Sequence, residues 1–313
     1  MGASARSQPA RLAAAALLIL GGPVGLGIVT ASPAAAAGDG TVCGRSPTDG
    51  AIVRYSGTPG WWQGIGNPPA ELYGNEFNLL ATNPATGHVF QYLRGTEWRW
   101  IGNPGSFKFV GPTVYGTPAD QSVIMRFNGT PGDWTAIGGP HRGLSGGPQG
   151  LISTQPGTYA GFLYTEVPYV WTSLGRPPGN GYVTYTSTNT DIYAYDNGGP
   201  TGRAIYVRDR SDGSWVRIDS PHFAPVTVWS GGFGILAATK SQLGDTSGDV
   251  FLYTGLPGAW RRISSTGFYF VLTGRNVYRK HQNTGETYRW VHDANTWTKI
   301  HDGLGSIHFS HCP

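Results

Sequence analysis

The chain has 313 residues with 49 glycines, 23 prolines, 13% charged residues and a formal net charge of +4. So weak a charge excludes nucleic acid as a partner, because binding a phosphate backbone by counterion release needs many Lys and Arg contacts. Abundant turn formers without an amphipathic helical period predict an all-β chain with almost no helix.

Residues 1–37 read as a secretory signal peptide. Arg6 and Arg11 make a basic start, Leu12 to Val29 is largely apolar, and Ala31-Ser32-Pro33-Ala34-Ala35-Ala36-Ala37 offers small-residue cleavage sites. Glycines and a proline interrupt the apolar run and no stop signal flanks it, which argues against a membrane anchor. Without Arg6 and Arg11 the 22 basic residues become 20 against 18 acidic. The mature chain, residues 38–313, is expected to be one extracellular domain with no membrane span.

Seven times along that domain a tryptophan is followed three residues later by isoleucine or leucine. The pairs are Trp62/Ile65, Trp98/Ile101, Trp134/Ile137, Trp171/Leu174, Trp215/Ile218, Trp260/Ile263 and Trp297/Ile300, with the tryptophans 36 to 45 residues apart. That period suits one unit of about four short strands. Alternating runs such as Ser122-Val123-Ile124-Met125-Arg126-Phe127 precede the anchors, and turns such as Gly129-Thr130-Pro131-Gly132 join them as hairpins. Two further short runs lie upstream, as in Phe107 to Val110 and Thr113 to Tyr115.

A four-stranded sheet cannot bury both of its faces alone, so seven must stack, in a ring or in an open array. The chain ends decide. Residues 41–62 align without a gap to residues 113–134, but the first repeat has no counterpart of Ser106-Phe107-Lys108-Phe109. That segment reappears at the other end as Ser306-Ile307-His308-Phe309. The expected fold is a seven-bladed β-propeller of four-stranded antiparallel blades whose first blade is completed by the C-terminal strand. Cys43 and Cys312 align with Tyr115 and Pro112, either side of a turn, so a Cys43–Cys312 disulfide is expected to close the ring. An exported chain meets an oxidising compartment, which favours the bond.

Catalytic signals are weak. Gly143-Leu144-Ser145-Gly146-Gly147 spells G-x-S-x-G, but no helix follows as a nucleophile elbow requires. The carboxylates scatter through turns, and Ser211-Asp212-Gly213-Ser214-Trp215, reminiscent of an Asp-box, reads as a hairpin cap. His308 and His311 are three apart in or beside a strand and point to opposite faces, so they do not chelate together. No metal, cofactor or catalytic residue is expected.

The aromatic residues carry more. The seven anchors recur at a fixed strand position, which favours packing between sheets. Trp61, Trp100, Trp229 and Trp290 lie outside the pattern; alternation places Trp100 on the face of Trp98, and Trp61 faces away from its anchor. An exposed indole is a surface for the apolar face of a sugar ring. The unit "strand, G-x-P-G, W-x-x-I-G-x-P" resembles the repeats of tectonin and tachylectin-type β-propellers, over essentially the whole mature chain. That resemblance implies binding of glycans or glycoconjugates in shallow pockets between blades, without catalysis. The residues expected to bind are Trp61, Trp98, Trp100 and Trp134 as stacking surfaces, with Asn67, Asn103, Arg54 and Arg126 as polar partners. Arg54 and Arg126 fit a repeated inter-blade bond equally well. In blades five to seven the I-G-x-P turn is lost, at Ile218-Asp219, Ile263-Ser264 and Ile300-His301, which puts sites there in doubt. Two other readings stay open: a secreted protein-interaction platform, and a propeller hydrolase or lyase with its site in the axial channel.

Overall fold

The computed structural model describes residues 41–312 apart from short segments at 47–48, 67–70, 84, 104, 199–202, 220–224, 226, 232, 240–247, 266–267, 274–275, 292–293 and 303–309. The signal-peptide segment lies outside the described residues. Every regular element among those described is a strand.

The strands form seven four-stranded antiparallel sheets. Blade one consists of Ser310–Cys312, Thr41–Arg45, Ile52–Tyr55 and Trp62–Gly66, and blade two of Glu71–Gly74, Leu79–Thr82, Val89–Arg94 and Glu97–Gly102. Blade three holds Ser106–Val110, Thr113–Thr117, Ile124–Phe127 and Trp134–Gly138, and blade four Gly143–Gly147, Gly150–Thr154, Gly161–Tyr164 and Trp171–Gly175. Val183–Ser187, Ile192–Asp196, Ala204–Arg208 and Trp215–Arg217 make blade five. Blade six is Thr227–Gly231, Gly234–Ala238, Val250–Tyr253 and Trp260–Ser264, and blade seven Phe268–Thr273, Asn276–His281, Thr287–Val291 and Thr296–His301. First strands approach one another from blade to blade around the axis, and the anchor tryptophans lie on the outermost strands.

The C-terminal strand does complete the first blade. It is Ser310–Cys312, just beyond the expected Ser306 to Phe309, which falls outside the described residues. It pairs antiparallel with the second strand, with Thr41 opposite Cys312, Val42 opposite His311 and Cys43 opposite Ser310. The two cysteines therefore stand on neighbouring strands, two register positions apart. Cys43 and Cys312 are the only cysteines of the chain.

Burial explains why the sheets stack. The second strands are buried along nearly their whole length, as in Thr113–Thr117 and Ile192–Asp196, because both faces meet a neighbouring blade. There is one apolar cluster at each blade junction. Leu80, Val89, Ile101, Phe107 and Val114 join blades two and three, and Val42, Tyr55, Tyr278 and Ile300 join blade seven to blade one.

The anchor motif makes the junctions directional. In six blades the isoleucine or leucine is skipped in the pairing register: Ile124 faces Gly138 and Met125 faces Ala136, leaving Ile137 as a bulge. The same shift passes over Ile65, Ile101, Leu174, Ile263 and Ile300. A bulge turns one peptide out of the ladder, so its carbonyl needs another donor. The next blade supplies one. The indole Nε1–H of Trp98, Trp134, Trp171 and Trp297 donates to the carbonyls of Ile65, Ile101, Ile137 and Ile263 at 2.7–3.1 Å. Trp215 and Trp260 donate likewise to Leu174 and Ile218.

Glycine after the bulge leaves room for that approach. A Cβ at Gly66 would lie 2.4 Å from Trp98 Nε1, and one at Gly102 would lie 2.6 Å from Trp134 Nε1. Blade five has Asp219 there instead, and its buried carboxylate accepts from the Ile205 amide and from Arg217 Nε and Nη2 at 2.8–3.0 Å. The departure from I-G-x-P in that blade thus has a structural use.

His141 follows blade three and is buried, with burial the larger influence in holding its imidazole below the ordinary histidine range. His301, against Trp62 at 5.8 Å between ring centroids, is shifted the same way by burial. In the unfolded chain both would take up a proton near pH 6.5, whereas the folded chain resists until lower pH. Stability is therefore full above about pH 6.5 and is lost as pH falls through the folded values. Urea midpoints measured from pH 7.5 to pH 5 should fall, and the fall should be smaller in His141→Gln.

Candidate functional site

The sequence-predicted residues separate into two groups. Trp98 and Trp134 are half-buried inter-blade struts, packed on Tyr92 and Phe127 with their N–H groups engaged by the preceding blade. Arg126, on the third strand of blade three, lies 3.9 Å from Glu166 on the third-to-fourth-strand hairpin of blade four. Tyr115 donates its hydroxyl to the same carboxylate at 3.2 Å, and burial together with Glu166 pushes that phenol up. Arg126 is thus an inter-blade contact. Arg54 is half-buried at the equivalent position of blade one, opposite Cys43 and Gln63.

Trp61, Trp100 and Asn103 form the other group. Trp61 is 71% exposed in the hairpin of blade one, where its amide donates to the Thr58 carbonyl. Trp100 is 40% exposed on the outermost strand of blade two. Although it is two residues from Trp98, it addresses a different neighbour. Trp98 reaches back to blade one, while the Trp100 ring lies beside Gly132 of blade three. Trp100 and Asn103 come together, the indole N–H donating to Oδ1 at 3.3 Å. Asn67 lies outside the described residues.

Two residues that the sequence reading passed over complete the rim patch. Phe90 stands directly opposite Trp100 in the hairpin register, and His88 meets both rings edge-on, with centroids 6.5 Å from Phe90 and 6.4 Å from Trp100. The irregularity between Tyr92 and Arg94 shifts the register by one, so counting back from the turn in the sequence would set Gln91 opposite Trp100 in place of Phe90. The result is an exposed aromatic shelf, bordered by the Asn103 amide and by the blade-three turn at Gly132.

Concave surface occurs at blade junctions and on the axis. The I-G-G-P turn of blade three, Gly138, Gly139 and Pro140, lines a 200 Å³ cleft with Ser153, Gln155, Phe162 and Trp171 of blade four. It lies where the turn motif led one to expect a pocket, but its aromatic wall comes from the following blade. At the axis a larger cavity of 680 Å³ is lined by Tyr73, Glu76, Phe107, Lys108 and Asn189 among others. Lys108 stands exposed to that cavity, and desolvation by the surrounding walls holds its ammonium below the ordinary lysine range.

The motifs that hinted at catalysis have structural places. Gly143–Gly147 is the first strand of blade four, and Gly146 lets it pass against blade three, since a Cβ there would lie 2.1 Å from the Phe109 carbonyl oxygen. Asp209 accepts from the amide and hydroxyl of Ser211, and Asp212 from the amide of Ser214, so both cap one hairpin. Among the described residues no three His, Cys, Asp or Glu side chains gather as a metal site would require.

Fold and register define the chain as a seven-bladed β-propeller with its first blade completed by the C-terminus. No family model and no curated protein matches it. Among solved structures it is similar to a putative 6-phosphogluconolactonase from Bacteroides fragilis, with a TM-score of 0.54, 13% identity, and 88% of this chain and 98% of that one covered. It is similar to a prolyl endopeptidase at TM-score 0.56 and 12% identity, covering 83% of this chain and 49% of that one. A third similar structure is YCF48 bound to D1 peptide, at TM-score 0.52 and 13% identity, covering 78% and 87%. At such identities the likeness is one of fold.

Proposed function

We propose that the mature chain is a secreted carbohydrate-binding propeller that engages glycans on its rim. The observation that carries this reading is the shelf at Trp100, a large aromatic surface left in solvent beside a paired Asn103 amide. An indole face takes the C–H face of a pyranose while an amide and an imidazole at its edge bond the hydroxyls. Trp61 offers a second exposed indole in blade one. Resemblance of the W-x-x-I-G-x-P unit to tectonin and tachylectin-type repeats supports the same reading.

A proposed Cys43–Cys312 disulfide fastens the platform. Its support is that the chain has only these two cysteines and that both stand on paired strands. Export by the N-terminal segment would supply the oxidising conditions.

Glycan-array binding of the mature protein tests the function. Trp100→Ala should weaken binding by about tenfold, as expected when one aromatic anchor is removed, with the melting temperature little changed. A blank array would overturn the reading. The exposed hairpin residues Val167, Tyr169 and Leu256 favour a protein-interaction platform as the second reading, which a blank array combined with capture of a polypeptide through those residues would support.

A further inference from the structure

Blade five breaks the repeat at one internal position. In the other six blades an aromatic residue faces the anchor tryptophan across the hairpin, as Tyr55, Tyr92, Phe127, Tyr164, Tyr253 or Trp290. Their rings pack on the anchors with centroids 5.0–6.4 Å apart. In blade five the residue opposite Trp215 is Arg208. An arginine in an aromatic slot of a repeat needs either a partner or a ligand, because a desolvated guanidinium with unused donors is costly.

The Arg208 side chain has no hydrogen-bond or ion-pair partner among the described residues. Its Nε is buried without an acceptor, and no carboxylate pairs with it among the described residues. The guanidinium lies over its own hairpin, with Nη2 2.7 Å from where a Cβ on Gly213 would stand, so glycine is needed to seat it. It opens on two cavities of 350 and 470 Å³, and Thr190, Asp191, Arg208 and Arg210 line both, which makes them one groove that crosses blade five from Gln149 of blade four to Tyr253 of blade six.

The other charged groups of that groove have partners. Arg210 is bound to Asp191 at 2.9 Å and to the Thr190 carbonyl, and the Asp209 carboxylate is held by Ser211 within its own turn. Tyr193 and Tyr253 form the inner wall, edge to face at 6.5 Å. Burial is the main cause that pushes Tyr193 up to about 12 and raises Tyr253, so both phenols keep their protons at neutral pH. Beside the Asp209 carboxylate, whose charge its neutral Ser211 donors leave in place, the groove presents one cation without an ion-pair partner among the described residues, and an aromatic wall.

We infer that this groove binds the oxyanion of an acidic glycan, with a carboxylate or sulfate ester on Arg208 and the sugar ring against the tyrosines. The inference rests on the carbohydrate reading and names the charge of the ligand. Planar bidentate contact with an oxyanion is what a guanidinium does best.

The test uses calorimetric titration of the mature protein with oligogalacturonate, a sulfated oligosaccharide and a neutral oligosaccharide of equal length. Arg208→Tyr is the variant, because it installs opposite Trp215 the residue type that the other blades carry there. Wild type should bind one acidic ligand at least about tenfold more tightly than the neutral one, and Arg208→Tyr should abolish that preference. The two acidic ligands tell carboxylate from sulfate. Equal affinity for acidic and neutral ligands, or a preference that survives in Arg208→Tyr, overturns the inference. Neutral binding that still depends on Trp100 would leave the rim reading standing in that case. If no glycan binds, the carbohydrate reading fails; an Arg208 Nε–Hε resonance that then also stays unmoved by inorganic sulfate removes the oxyanion site.

Discussion

Replacing Cys43 with serine is expected to lower the unfolding free energy by up to about 5 kcal/mol, the value that chain entropy assigns to opening a loop of about 270 residues. Ring geometry makes this junction the exposed one. In the other six blades the first two strands are joined by a turn of the chain, whereas blade one holds its innermost strand only by the pairing of Ser310–Cys312 with residues 41–43. Blade seven also meets blade one through the Gly60 amide on the Ile300 carbonyl at 2.9 Å, the Trp62–His301 ring contact and the cluster of Val42, Tyr55, Tyr278 and Ile300. With the proposed bond removed, opening of blade one no longer has to stretch the chain, and amide exchange in Thr41–Arg45 should accelerate before any global unfolding. Urea titration of the oxidised and reduced protein measures the global term. Coincident midpoints for the two would show that no bond between these cysteines fastens the ring.

The architecture was legible because a propeller repeats its instructions. Seven W-x-x-I/L units counted the blades, the gap-free match of residues 41–62 to 113–134 showed which strand was missing, and the tail offered a candidate at nearly the right place. Structure moved that strand onto Ser310–Cys312, a shift of a few residues that alternation alone does not resolve in a short apolar run. The purpose of the three-residue spacing was not legible. It arises from a bulge that hands a carbonyl to the next blade's indole, and bulges leave no mark in a hydrophobic pattern. For the same reason Trp98 and Trp134 looked like ligand surfaces in the sequence. Aromatic character is common to a strut and a platform, and only the contacts across a junction separate them. Trp100 and Asn103 carry their aromatic and amide signals in the sequence, but Phe90 and His88, which make them a surface, come into place only through the strand register. Arg208 is not legible at the residues the repeats share, because its signal is a departure from them.

The strut role leads to the second large effect. Trp134→Ala should lower the unfolding free energy by about 3 kcal/mol, because a large half-buried ring leaves a cavity against Phe107 and Phe127 and the Ile101 carbonyl loses its indole donor. Trp134→Phe keeps most of the apolar volume and isolates the hydrogen bond, for which about 1 kcal/mol is expected. The closing junction provides the internal control. Trp62 is the homologous residue of blade one, but its Nε1 is buried with no acceptor among the described residues, although the Ile300 carbonyl accepts the Gly60 amide just as the Ile101 carbonyl accepts the Gly132 amide beside the Trp134 indole. Trp62→Phe therefore removes an unsatisfied donor and no bond, so it should be neutral or slightly stabilising, while Trp62→Ala should still lose the packing on Tyr55 and His301. Chemical denaturation of the four variants under one set of conditions separates the contributions. Equal losses for Trp134→Phe and Trp62→Phe would mean that the indole bonds between blades add nothing to stability, and that the anchors act through ring packing alone.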